Sequence, residues 1–285
     1  MAGDYGKDLA MISNRRFWKM TGSGNDFVFV DGRTESASEF ESVEGIRHVC
    51  ARGTGVGADG LVILTTPETG DADIAIRYFN ADGSLAALCG NATLCTASLA
   101  AAMAAVDPAE FAIATGSGTL RARIRAGTPE FDLPVIREPH STFSAIPLES
   151  GEQRLGFASV GIPHVVVRVP DVALTDVIAR GRAVRYHASL SEGANVNFVS
   201  GDTDGHWRIR TYERGVEAET LACGTGSVAT AILLRLWGEI GDDVELETAS
   251  GRLVGIRSNQ TSTGVWNASL RGEGRLVFEG ELRDL

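Results

Sequence analysis

Apolar positions in this chain fall into many short runs and two long ones. "FVFVDG", "LVILTT", "IAIRYFN", "FAIATG" and "LRARIRAG" lie between Phe27 and Gly127, and "VVVRVP", "NVNFVS", "WRIRTYE", "VELETA" and "RLVGIRS" lie between Val165 and Ser258. Most are rich in β-branched and aromatic residues, so they predict strands. The long runs are "AALCGNATLCTASLAAAMAAV" (86–106) and "LACGTGSVATAILLRL" (221–236). Each is apolar around most of a helical circumference, which predicts a helix buried inside a sheet. Asp107-Pro108 is the expected stop of the first and Gly238 that of the second.

The two halves repeat each other. Both long runs open on Cys-Gly and a polar residue, at Cys89 and Cys223. "TGSGTL" follows Cys89 and "TASGRL" follows Cys223 at nearly equal distance. "FNADGS" with Asn80 precedes the first cysteine as "YERGVE" with Glu213 precedes the second, and "GNDFVFV" from Gly24 parallels "GIPHVVV" from Gly161. Four matches in one order predict a unit of about 130 residues occurring twice. The fold class expected is α+β: two pseudo-symmetric units, each a curved mixed sheet wrapped around one central helix. "REPHSTFSAIPLES" (137–150) reads as the connection, which sets the units at 1–140 and 141–285.

With 285 residues, 44% of them hydrophobic, the chain can bury a sizeable core. A net charge of −11 argues against nucleic acid and anionic membranes as partners. No stretch reaches the roughly 20 apolar residues of a membrane span, and residues 1–17 read as an extension without a signal-peptide core. Four cysteines without CxxC spacing, and five scattered histidines, indicate neither a disulfide scaffold nor a metal site. A reduced, cytoplasmic setting fits.

The first amides of a helix lack internal partners and carry partial positive charge. A cysteine placed there can have a lowered pKa, and the amides after it suit an anion such as a carboxylate. Gly90 and Gly224 allow close approach of backbone to ligand. If the units face each other, Cys89 and Cys223 flank one cleft. One thiolate then removes a proton from a carbon, the other thiol returns one on the opposite side, and the carbon inverts without a cofactor. Cys50 and Cys95 read as core residues, and Asp82 as a turn-former.

These residues carry a resemblance. "MTGSGNDFVFVD", "GTGVGADGL", "FNADGS", "LCGN", "GIPH", "ANVNFV" and "ERGVEAETLACGTG", spread from Phe17 to the C-terminus, are similar to the diaminopimelate epimerase family, pyridoxal-independent racemases that interconvert LL- and meso-diaminopimelate. The resemblance implies that Cys89 and Cys223 are the catalytic base and acid. It implies that Gly90, Asn91, Gly224 and Thr225 bind the reacting carboxylate through backbone amides, and that Asn25, Asn80, Asn195, Glu213 and Arg214 hold the substrate, Arg214 at a distal carboxylate. His164 and Glu213 would orient the ammonium and tune the thiols. It also implies that the last strand, Gly274 to Leu282, returns to the first unit, that the partners are an amino-acid substrate and a second copy of the chain, and that no cofactor or metal is needed. The chain departs from the family pattern at Ala92 (usually Gly), Leu94 (usually Arg), Ile162 (usually Asn) and Leu85 (usually Glu). Two alternatives therefore stay open: a racemase of another amino acid, such as histidine, and a non-catalytic thiol switch or ligand-binding homologue.

Overall fold

Residues 15–282 are described by a computed structural model of the chain. Residues 1–14 of the expected extension lie outside them; its last three, Arg15 to Phe17, belong to a strand. Strand β1 (Arg15–Gly22) turns back on β2 (Asn25–Asp31), with Gly22 facing Asn25. Helix α1 (Val43–Cys50) carries the chain over to β3 (Gly60–Thr65), parallel to β2. β4 (Ile74–Asn80) pairs antiparallel with β3, and the short β5 (Leu85–Ala86) pairs with β4. After helix α2 (Gly90–Ala102), β6 (Phe111–Thr115) returns parallel to β4, and β7 (Gly118–Arg125) and β8 (Thr128–Asp132) extend the meander.

The same path is then walked again. After the two-residue β9 (Ile136–Arg137) come β10 (Arg154–Val160) and β11 (Ile162–Arg168) as a hairpin, helix α3 (Val177–Arg185), and β12 (Asn195–Gly201) parallel to β11. β13 (Trp207–Glu213), β14 (Ala218–Thr220), helix α4 (Gly224–Leu236) and β15 (Asp243–Glu247) follow, with β15 parallel to β13. β16 (Leu253–Ser262) and β17 (Val265–Arg271) complete the meander. The two copies join where β8 and β17, equivalent strands, pair antiparallel about Phe131 and Leu270. Finally β18 (Arg275–Leu282) pairs with β1.

α2 and α4 each sit in the hollow of their own sheet and share one core. Leu94, Cys95, Leu99, Val228, Ile232 and Leu233 are all fully or almost fully buried. The sequence patterning predicts one helix per unit; the structure adds α1 and α3 on the outer faces, over separate clusters around Phe40 and Ile46, and around Val177 and Val184. Both are short and carry side-chain caps: Ser42 accepts from the Gly45 amide and Asp176 from that of Ala179. Their single apolar stripe is easily lost beside the all-apolar runs.

α2 also ends earlier than the proline signal suggests. Ala104 has φ +53° and the Ala105 amide donates back to the Ala100 carbonyl. α4 closes identically with Gly238 at φ +76° and Glu239 donating to Leu234. The two ends are one left-handed cap used twice. Alanine holds it in the first copy, so the glycine signal is missing there.

Candidate active site

Cys89 and Cys223 are the N-cap residues of α2 and α4, both extended, with φ −134° and −130°. The β8–β17 pairing brings the two helix starts together. A Cβ built on Gly90 would stand 3.6 Å from the Gly224 Cα, and one on Gly224 would stand 3.5 Å from the Gly90 Cα. The helices therefore meet backbone to backbone through two glycines, and both half-buried cysteines sit beside that contact.

At both thiols burial outweighs the helix ends. Burial pushes Cys89 up to about 11 and Cys223 up to about 12. The Asn91 and Ala92 amides pull Cys89 down, and the Thr225 hydroxyl and Gly226 amide pull Cys223 down, but less than burial raises them. The Glu213 carboxylate lies close enough to both sulfurs to raise each further, and burial raises Glu213 itself. Helix-end charge is only a fraction of a unit, whereas taking a thiolate out of water costs more.

Around Cys223, Asn195 is fully buried, accepts from the Arg214 amide at 2.8 Å and directs its amide nitrogen to the sulfur at 3.7 Å. The Thr225 hydroxyl is 3.6 Å from the same sulfur. The Arg214 guanidinium donates to the Glu192 carbonyl at 3.1 Å and has no carboxylate partner among the described residues. His164 is fully buried. The Asn197 amide nitrogen lies 3.3 Å from its Nδ1 and donates to the Val165 carbonyl, while Thr211 donates to Asn197 Oδ1. Those partners fix the Asn197 amide, so His164 Nδ1 accepts and the proton sits on Nε2, which has no partner. Burial, with Arg214 nearby, lowers His164 to about 3, so it is neutral.

In the first unit, Asn91 is buried; it donates to Asn25 Oδ1 at 2.7 Å, and Asn25 donates to Asp59 at 2.9 Å, which pairs with Arg52. Asn91 Oδ1 has no partner and lies beside Gly224. Asn25 thus braces Asn91. Of the first three α2 amides, those of Asn91 and Ala92 serve the Cys89 sulfur. Those of Gly90, Gly224 and Thr225 occupy helix positions without an intrahelical acceptor. Asn80 is not drawn into the cluster to the same degree: its side chain donates to Ser84 across the "NADGS" turn, where Asp82 also caps Ser84.

Asn197, Asp59 and Tyr78 pack among the candidate residues and are passed over by a reading of motifs. For Asn197 and Tyr78 the signal lies in aligning the two copies strand by strand. Asn197 corresponds to Val62 and Tyr78 to Thr211, because Val62 faces Tyr78 as Asn197 faces Thr211. The same alignment accounts for one departure. Ala92 corresponds to Gly226, where a Cβ would stand 2.2 Å from Asn197 Oδ1; with Val62 in place of Asn197, alanine fits and is buried. Leu94 is a core residue against the β17–β18 connection, whereas Leu85 is largely exposed.

Comparison with known proteins agrees with the duplication. The family model for diaminopimelate epimerase matches residues 17–133 and 156–273, once per copy. The diaminopimelate epimerase of Gemmatimonas aurantiaca is 46% identical over 277 residues, covering 94% of this chain and 99% of the relative. That of Aquifex aeolicus is 37% identical over 277 residues, covering 94% and 98%. A PhzF-family phenazine biosynthesis protein of Bacillus anthracis superposes with a TM-score of 0.70 at 17% identity, over 95% of this chain and 99% of the other, a likeness of fold alone. The chain belongs to the diaminopimelate epimerase family.

Proposed function

We propose that this protein is a cofactor-independent isomerase that interconverts LL- and meso-diaminopimelate, a step toward lysine and peptidoglycan precursors. The observation that carries the reading is the meeting of two Cys-Gly helix starts at Gly90 and Gly224, in a chain whose full-length relatives bear that name. Cys89 and Cys223 are the base and acid, their roles exchanging with substrate handedness. The α-carboxylate lies against the free amides of Gly90, Gly224 and Thr225, with the amide of Asn91 turned partly to its own cysteine. Charge that develops on the carboxylate as the α-proton leaves is stabilised there.

Glu213 receives the substrate ammonium in this reading. Its carboxylate raises both thiols in the free protein, so pairing it with a cation lowers the cost of forming the thiolate when substrate is present. His164, neutral, orients the substrate with Asn25, Asn80 and Asn195, and Arg214 takes the distal carboxylate. The test is incubation of the reduced protein with LL-diaminopimelate in deuterated water; deuterium at the α-carbon together with meso product is expected, and absence of both defeats the reading. We further infer units 1–140 and 141–285, with the last strand of the second returned to the first, a cytoplasmic location and a homodimer. Leu276, Val277 and Phe278, about half exposed on β18, are a suitable apolar contact. No helix among the described residues is long and apolar enough to cross a membrane. Sedimentation at twice the 30.1 kDa chain mass is the expected result for the dimer; the single-chain mass overturns it.

Two outcomes follow. Arg214→Leu is expected to raise KM about 30-fold with kcat nearly unchanged, since a charge-assisted bond to a carboxylate is worth about 2 kcal/mol; an unchanged KM removes the assigned role. The pH dependence follows from the thiols. Turnover needs one thiolate and one thiol, and with the lower thiol near 11 the thiolate share falls tenfold for each unit below that. kcat/KM is therefore expected to climb with a slope near one on a logarithmic scale from about pH 6 to about pH 8.5, below titration of the substrate amines. A plateau across that range indicates a thiol lowered as the helix ends alone predict.

A further inference from the structure

The two thiols do not receive the same partners, and the duplication shows why. Gly60 faces Asn80 in the β3–β4 ladder; one step beyond the Val196–Tyr212 pair of the second copy, the corresponding positions are Asn195 and Glu213. The β2–β3 and β11–β12 ladders agree, with Phe27 opposite Gly60 as His164 is opposite Asn195. Asn195, whose amide nitrogen approaches Cys223, thus corresponds to a residue without a side chain. The space is taken by Tyr78 and by the Phe79 carbonyl. A Cβ on Gly60 would lie 2.5 Å from the Phe79 carbonyl oxygen, 2.6 Å from Tyr78 Cε2 and 3.0 Å from its hydroxyl oxygen. In the second copy Tyr78 is replaced by Thr211, which leaves room for Asn195. A small residue and a large one have exchanged places between neighbouring strands.

The tyrosine is buried at 8% exposure and lines, with Cys89, a cavity of about 260 Å3. Its hydroxyl is near enough to the Cys89 sulfur for each group to act on the titration of the other. Burial raises the phenol well above its ordinary value, so it stays protonated and can only donate to a thiolate.

We propose that Tyr78 is a positioning residue for Cys89, its hydroxyl donating to the sulfur as thiolate and holding it toward the cleft, the first-unit counterpart of the Asn195 amide on Cys223. The two halves then supply the same interaction from different strands, a phenol on β4 and a carboxamide on β12. This rests on the assignment of Cys89 as a proton-transferring group but not on which amino acid is the substrate.

The test compares Tyr78→Phe, which keeps the ring over Gly60 and removes one oxygen, with the parent protein. Iodoacetamide alkylation of Cys89 and Cys223 is followed separately by peptide mass spectrometry across pH, without substrate. The expected result is a Cys89 profile displaced upward by about one pH unit, with about tenfold slower alkylation at pH 8, and an unmoved Cys223 profile. A Cys89 profile that does not move, or one that moves together with Cys223, overturns the proposal. Should the parent protein leave diaminopimelate unchanged while these displacements appear, the substrate reading fails and the role of Tyr78 stands.

Discussion

Replacing either Cys89 or Cys223 with alanine is expected to abolish epimerisation, lowering kcat/KM by about 10³-fold or more, in the range that general acid–base groups contribute. The two variants are not expected to be equivalent. With Cys89 gone, the Cys223 thiolate can still remove the α-proton of the epimer that presents it. No thiol then stands on the opposite face, so the proton or a solvent deuteron returns to the side it left. Cys89→Ala should exchange deuterium slowly into one stereoisomer without inversion, and Cys223→Ala into the other. NMR of each pure stereoisomer in deuterated water reads this directly. Either variant keeping full turnover refutes the two-thiol scheme, and exchange by both variants into the same epimer refutes placement on opposite faces. The geometric basis is the contact of Gly90 with Gly224, which sets the two N-cap positions on either side of one point.

Gly226→Ala is expected to cost about 2 kcal/mol of stability, a fall in Tm of about 4–8 °C, and to lower kcat by at least about tenfold. The added Cβ would lie 2.2 Å from Asn197 Oδ1 and 3.2 Å from the Cys223 sulfur. Asn197 cannot swing away cheaply, because Thr211 donates to its oxygen while its nitrogen serves the Val165 carbonyl and His164. The strain therefore falls on the first turn of α4 and moves the thiol it carries. The reverse change in the first copy, Ala92→Gly, should cost only about 1 kcal/mol, the ordinary helix penalty of glycine. Combining Gly226→Ala with Asn197→Val imitates the first-copy arrangement and should recover part of the stability, a coupling that a double-mutant cycle measures. Thermal melts and steady-state kinetics of these variants, of Asn197→Val alone and of the parent check this; a Gly226→Ala variant with unaltered Tm and kcat contradicts the packing described.

Much of this architecture is written locally. The alternating runs become strands because period two is a property of the extended chain itself. The apolar runs become central helices because nothing in them tolerates a wet face. Both cysteines land at helix starts because Cys-Gly is followed at once by helix-compatible residues in each copy. The outer helices α1 and α3 were hidden for the opposite reason: each is eight or nine residues long, with a narrow stripe that only a sheet beneath it makes significant.

The sequence by itself therefore determined the duplication, the strand and helix types, the two thiols and most of their neighbours, since these follow from short-range spacing and from matching one half to the other. Tertiary structure alone decided the rest. Antiparallel pairing of β8 with β17 carries the helix starts together over a long stretch of chain. The same closure removes water from the thiols and so raises pKa values that helix geometry alone would lower. Whether a residue's nearest neighbour across the sheet is Gly60 or Asn195, Val62 or Asn197, is a matter of ladder register. Register and desolvation are set by contacts between residues distant in the chain, and no local pattern of polar and apolar positions encodes them.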